Sequence, residues 1–311
     1  MKLIDLHEDL AHSSSKMDVR KGKFQSSIEL LKTLGEPLVF SVLYPHANTW
    51  DERATRLSER YGFATASSVP MFELLVQQIK FYYFLERSGL VRIVRGARDL
   101  DSPGVKLLLA MEGVDVLTDP YDAYILRDLN VRSIGLTWNY DTKFAASCMS
   151  SKDYGLTGYG EELVRLCNNL GILVDLAHAS KQSLLDAAQA SKAPLIVSHA
   201  NSRRVRDHVR NLDDEELEAL AKTGGVVGIT GINSTLGDNG TIQEMVEHAN
   251  YIGNSYGWKH VALGTDFLGV EHPPKGFEDI SKVHELGALL GEHGDEVLWK
   301  NAERVVRLVV T

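Results

Sequence analysis

Residues 172–199 read ILVDLAHASKQSLLDAAQASKAPLIVSH. An apolar run ends in His178, a helix-period segment follows over residues 180–190, and a second apolar run ends in His199. Neither run alternates apolar with polar. Both are nearly continuous, as strands of a parallel sheet are when covered on both faces. Two such runs joined by a helix make a strand–helix–strand unit. The same rhythm extends outward in both directions. Short apolar runs bounded by Gly, Pro, Asn or Asp occur at residues 3–6, 37–44, 105–111, 131–137, 171–177, 194–198, 226–230 and 260–264. Helix-period segments lie at 121–130, 160–170, 180–190, 213–222, 241–256 and 295–308. The longer gap between the second and third runs carries a strongly helical stretch at 70–87, with Phe72, Leu75, Ile79 and Tyr83 on roughly one face. No Pro/Ser-rich linker or low-complexity stretch interrupts the pattern, so a single domain over residues 1–311 is expected.

Eight strands alternating with helices predict an α/β protein of the (β/α)8 TIM-barrel type. The 311 residues suit it, since such barrels take about 250. An open doubly wound sheet has the same local pattern. The placement of polar residues favours the barrel. The first run ends in His7-Glu8-Asp9, the third in Glu112, the fifth in His178, the sixth in His199 and the eighth in Asp266. In a barrel the C-terminal ends of the strands share one mouth, where such folds do chemistry.

Those five strands would deliver three histidines and three carboxylates to one face. Imidazole and carboxylate together suit Zn, Mn, Fe(II) or Co. His7 and Asp9, two apart at a strand end, can chelate one ion. His178 and His199, on adjacent strands, can hold a second. Glu112 can bridge the two through its paired oxygens. Two metals sharing a water lower its pKa enough to yield hydroxide near neutrality. Asp266, on the last strand and so beside the first, is placed to accept that water's proton. The other histidines, His12, His46, His208, His248, His260, His272, His284 and His293, fall in helical or loop contexts and read as surface or supporting residues. Asp175, mid-run, reads as structural or supporting.

Composition bounds the rest. Hydrophobic residues are 44% and charged residues 24%, which is ordinary globular usage and excludes wholesale disorder. The net charge of −9 disfavours binding to nucleic acid or to an anionic membrane surface. Two cysteines, Cys148 and Cys167, cannot make a disulfide framework and suit a reducing compartment. The first residues carry charges where a secretory signal needs an apolar core, and no run approaches the roughly 20 apolar residues of a membrane span. A cytoplasmic location is the resulting expectation.

The motifs together resemble the membrane (renal) dipeptidase family, peptidase family M19, within the amidohydrolase-like barrels. Residues 4–10, IDLHEDL, resemble its opening Asp-x-His-x-Asp motif, and Met111-Glu112-Gly113 its bridging-glutamate motif. Residues 174–180 and 194–199 resemble its two histidine motifs, in the same order and at similar spacing. Residues 210–214, RNLDD, and 264–270, GTDFLGV, resemble the segments that follow. The resemblance implies two divalent metal ions per chain, zinc in the family, held by His7, Asp9, Glu112, His178 and His199. It implies that Arg210 binds the substrate carboxylate, that Asp266 is the general base, and that the reaction is hydrolysis of dipeptides, a D-residue being tolerated at the C-terminal position. Family relatives also suggest a homodimer. Trp138 stands where mammalian members have a histidine that contacts the substrate carbonyl, and Leu268 where many relatives have a second Asp. Two alternatives stay open: a metal-dependent hydrolase of another amide, a lactam or a small ester, and a non-catalytic metal-binding barrel.

Overall fold

The computed structural model of the chain describes residues 2–22, 24–46 and 71–311. The strands are β1 (Lys2–Glu8), β2 (Glu36–Leu43), β3 (Arg92–Ile93), β4 (Lys106–Met111), β5 (Val131–Gly135), β6 (Leu173–Asp175), β7 (Ile196–Val197), β8 (Val226–Ile229) and β9 (Val261–Leu263). All pair in parallel. β1 pairs with β2 and with β9, and β2 pairs also with β4, so eight of the strands close into a ring in the order β1, β2, β4, β5, β6, β7, β8, β9. This is the expected (β/α)8 barrel. β3 was not expected. It pairs with Lys106 and Leu107, the end of β4 that β5 does not reach, because β5 begins its pairing at Leu109. Two residues are too few for an apolar run to announce.

Alternation along each strand divides the core in two. Ile4, Leu6, Leu38, Phe40, Leu108, Ala110, Leu173 and Ile196 belong to one buried cluster, in the barrel interior. Their neighbours Leu3, Val39, Leu107, Leu109, Val174 and Val197 belong to another, facing the helices. The interior cluster also takes Ala302, Val305, Val306 and Val309 from the last helix, Asn301–Val309. That spacing is one helical stripe. Glu303 of the same helix reaches Lys2 at the start of β1, so this helix plugs the N-terminal end of the barrel. Each fully buried valine there contributes about 1.5–3 kcal/mol, and Val305→Asp would break the plug. Where β7, β8 and β9 meet, a Cβ on Gly228 or Gly264 would overlap the Ser198 carbonyl oxygen, so only glycine lets these strands come together below His199.

The helices lie where the periodicity places them, and four of them, starting at Gly158, Lys181, Asp214 and Ile242, have side-chain caps. Ser180 accepts the Ser183 N–H ahead of Lys181–Ala190, and Asp213 forms a capping box with Glu216 ahead of Asp214–Lys222. The stretch expected as helix 70–87 is helical over Met71–Arg87, Pro70 lying outside the described residues. Its buried face differs from the expected one. Leu75, Gln78, Ile79, Tyr82 and Leu85 are inside, while Phe72 is 57% exposed. Tyr82 decides this, because its hydroxyl donates to the Val42 carbonyl and accepts the Ala11 N–H, tying the helix to β2 and to the short helix Leu10–Ser13 that follows β1. Among the described residues, no helix is long and apolar enough to cross a membrane.

Candidate metal centre

β1 departs from regular pairing between Asp5 and Glu8, and this irregularity turns His7 and Asp9 toward the barrel mouth. There the six expected side chains converge. His7 Nε2 lies 3.7 Å from Asp9 Oδ2, 3.7 Å from Glu112 Oε1 and 3.6 Å from Asp266 Oδ1. Glu112 Oε1 lies 3.1 Å from His178 Nε2 and 3.6 Å from His199 Nε2. Glu112 therefore touches all three imidazoles through one oxygen. Asp266 lies closer to the cluster than a distant proton acceptor would, since one donor atom each from His7, Asp9 and Asp266 falls within a 4.8 Å group. His7, Glu112 and His199 form a second such group.

The donor set fits divalent cations. His7 Nε2 is buried and has no hydrogen-bond partner. His178 Nε2 and His199 Nε2 face each other at 3.0 Å. The tautomer of His178 follows from its neighbours. Asn139 Oδ1 can only accept, so His178 Nδ1 donates to it at 2.8 Å and Nε2 keeps its lone pair. Arg210 Nη2 donates to that lone pair at 2.9 Å. Ser198 Oγ holds His199 Nδ1 at 2.9 Å from the far side.

Electrostatics agrees with the geometry. Burial and the Arg210 charge press the His7 pKa down to about 3, and burial holds His178 and His199 well below the usual histidine range, so all three rings are neutral and keep a lone pair that could be given to a cation. Burial and neighbouring carboxylates push Glu112 and Asp9 well above the usual acid range. Burial raises Asp266 to about 7, with Arg210 opposing the shift. A pocket that resists both imidazolium and carboxylate is one that a cation would satisfy. His178 and Asp266 also have left-handed backbones, φ 65° and 61°. For residues other than glycine this costs on the order of 1–3 kcal/mol each and is typical of preorganised sites.

A cavity of about 440 Å3 opens over the cluster, lined by Asp9, Glu112, Asp266, Tyr44, Trp138 and Arg210. Asn211 fixes the loop that carries Arg210, donating to the carbonyls of Arg206 and Thr235 at 2.9 and 2.8 Å. Trp138 packs edge-on against Tyr44. Tyr44, Asn139 and Ser198 are contributors that sequence reading missed. Asn139 and Ser198 each adjoin a residue already singled out, which is the one signal that could have found them. Of the histidines read as surface or supporting, His46, His248 and His260 are buried, and His12 and His208 line the cavity. His46 donates to the Glu112 carbonyl at 3.1 Å and accepts from the Tyr140 hydroxyl at 2.6 Å, so burial follows from satisfied ring nitrogens.

Comparison with known proteins gives the family and the fold. The family described as membrane dipeptidase (peptidase family M19) matches residues 1–311. An uncharacterized dipeptidase of Schizosaccharomyces pombe is 40% identical over 166 residues, 51% of this chain and 40% of the relative. A second from the same organism is 32% identical over 232 residues, 71% of this chain and 56% of the relative. The chain thus spans about half the length of these curated relatives. Among solved structures, an M19 metallopeptidase, the dipeptidase AC, superposes with TM-score 0.85 at 22% identity, covering 100% of this chain and 99% of that one. A Rhodobacter sphaeroides metallopeptidase, liganded with a phosphinate mimic of the dipeptide L-Ala-D-Ala, superposes with TM-score 0.84 at 22% identity, covering 99% of each. These likenesses show the fold.

Proposed function

The chain belongs to the membrane dipeptidase family, peptidase family M19, and from that membership we propose that it hydrolyses dipeptides with the aid of two divalent cations. The observation that carries the proposal is Glu112 Oε1, which lies 3.7, 3.1 and 3.6 Å from the Nε2 atoms of His7, His178 and His199. A binding module has no need of a bridging carboxylate beside a candidate general base.

In this reading His7 and Asp9 would hold one ion and His178 and His199 the other, with Glu112 available to both. The imidazole and carboxylate donors suit zinc, with Mn, Co and Fe(II) compatible. Divalent cations at such a site polarise a carbonyl and lower the pKa of water. The protein's own residues do the rest. Arg210 swings from His178 to the substrate's terminal carboxylate, for which its planar fork is suited. Asp266, within the cluster, takes the proton of the attacking water and delivers it to the leaving amine. Their neighbours support these roles, Asn139 and Ser198 by orienting the imidazoles and Asn211 by holding the Arg210 loop. The mimic bound by the Rhodobacter sphaeroides neighbour suggests that a D-residue is accepted at the C-terminal position here as well.

Elemental analysis beside hydrolysis of a mixed-chirality dipeptide library tests the reading. About two metals per chain with cleavage of L-Xaa-D-Xaa or L-Xaa-L-Xaa is the expected result. Two metals without cleavage would move the substrate to another amide, a lactam or a small ester. No metal after reconstitution would overturn the centre itself.

A further inference from the structure

The barrel mouth is polarised across its diameter. Tyr44 directly follows β2, and Arg210 lies in the segment between β7 and the helix Asp214–Lys222. In the ring order β2 and β7 are four strands apart out of eight, so the two residues rise from opposite walls. Both line the same cavity over the metal cluster, and Trp138, following β5, stands between them. We infer that Tyr44 and Trp138 form an aromatic wall that receives the side chain of the substrate's N-terminal residue, and that the preferred dipeptides carry a large apolar or aromatic residue there.

This inference rests on the dipeptidase reading, and three observations carry it. The first is direction. With the terminal carboxylate at Arg210 and the scissile bond over Glu112, the N-terminal residue extends toward the opposite wall, where Tyr44 sits in the field of Glu112, Asp9 and Asp266. The second is rigidity. Trp138 meets Tyr44 edge-on at 5.1 Å and 77°, is backed by His46 in a plane tilted only 11°, and meets Tyr140 at 5.6 Å and 85°. Edge-on pairs at these spacings are favourable, and His46 is anchored from behind by the Glu112 carbonyl. A wall already in place costs little side-chain entropy on binding. The third is charge. Around this end of the cavity the described lining residues include no Lys or Arg, and the carboxylates present are those of the metal cluster. His12, edge-on to Tyr44, is kept toward its neutral form by burial and by Lys16.

Burying a leucine or phenylalanine side chain on such a wall is worth about 10- to 100-fold in kcat/KM over glycine. The test is a panel of Xaa-D-Ala and Xaa-L-Ala dipeptides, with Xaa Gly, Ala, Leu, Phe, Asp or Lys, assayed on the metal-loaded protein, its Trp138→Ala variant and its Trp138→Phe variant. Leu and Phe should lead the panel by at least about 10-fold over Gly. Trp138→Ala should cut the Phe-to-Gly ratio about 10-fold, and Trp138→Phe should keep most of it. A flat panel, a lead for Asp or Lys, or a ratio unchanged in Trp138→Ala would overturn the wall while leaving dipeptide hydrolysis standing. If Trp138→Ala does not fold, the wild-type panel and Trp138→Phe still decide. Metal-loaded protein that cleaves no member overturns the dipeptidase reading, and the wall falls with it.

Discussion

The carboxylate of Asp5 clamps Thr265. Its Oδ1 accepts the Thr265 backbone N–H at 2.9 Å, and its Oδ2 accepts the Thr265 hydroxyl at 2.6 Å. Oδ1 also takes the N–H of His7. One buried side chain thus ties the residue before Asp266 to the His7 segment of β1. The device recurs between β6 and β7. Asp175 Oδ1 accepts the N–H of Ala177 at 3.0 Å and that of Ser198 at 2.9 Å, binding the approach to His178 to the residue before His199.

Asp5→Ala should strand two backbone N–H groups and a hydroxyl in a fully buried place. Each unsatisfied group costs about 1–3 kcal/mol, so the loss should total several kcal/mol and reach the metal site as well. Urea unfolding of the metal-free protein and calorimetric metal titration measure the two effects. Unchanged stability would show that water or repacking replaces the clamp.

Asp266→Asn should bind its full complement of metal yet turn over about 10²–10⁴ times more slowly, the usual size of a lost general base. Turnover and metal content have to be read together. Loss of one metal would make Asp266 a ligand first, as its 3.6 Å approach to His7 allows.

Arg210→Ala should raise KM for dipeptides with a free C-terminal carboxylate by about 10- to 100-fold, the size of a lost charged hydrogen bond. Esterified or amidated substrates should lose much less. Equal losses for both would remove the carboxylate role and leave Arg210 as a partner of His178.

Metal affinity should fall as pH drops through about 7. In the metal-free protein the carboxyl of Asp266 holds its proton up to about pH 7, and burial and neighbouring carboxylates also push Glu112 and Asp9 well above the usual acid range. Cations bind the deprotonated form, so each displaced proton lowers the apparent affinity by up to about tenfold per pH unit below the acid's pKa. Calorimetry in buffers of different ionisation enthalpy should register proton release. Affinity independent of pH between about 6 and 8, with no release, would contradict the protonated carboxyl cluster.

What the chain shows on its own is whatever is local in it. His7, Glu112, His178, His199 and Asp266 each end an apolar run, and a run with a polar terminator is visible in a window of ten residues. On Met71–Arg87 the expected Leu75 and Ile79 are buried, but Tyr82 rather than Tyr83 is inside and Phe72 is exposed, because the partners of the Tyr82 hydroxyl, Ala11 just after β1 and Val42 on β2, set the rotation of the helix. β3 was invisible because two residues carry no period. Asn139 and Ser198 gave no signal of their own, because a hydrogen bond to an imidazole is made in space and leaves no spacing in the chain.

The amino-acid sequence by itself determined the strand–helix alternation, the barrel and the kinds of donor at its mouth, because period, capping and the residue that ends each strand are short-range properties of the polymer. Only the tertiary structure decided that one oxygen of Glu112 meets three imidazoles, that Asp5 locks Thr265, and that Tyr44 faces Arg210 across the mouth. Those relations join residues up to 260 positions apart. They exist because closing the sheet brings β9 beside β1 and sets β2 opposite β7, and closure is a property of the whole ring rather than of any stretch of chain.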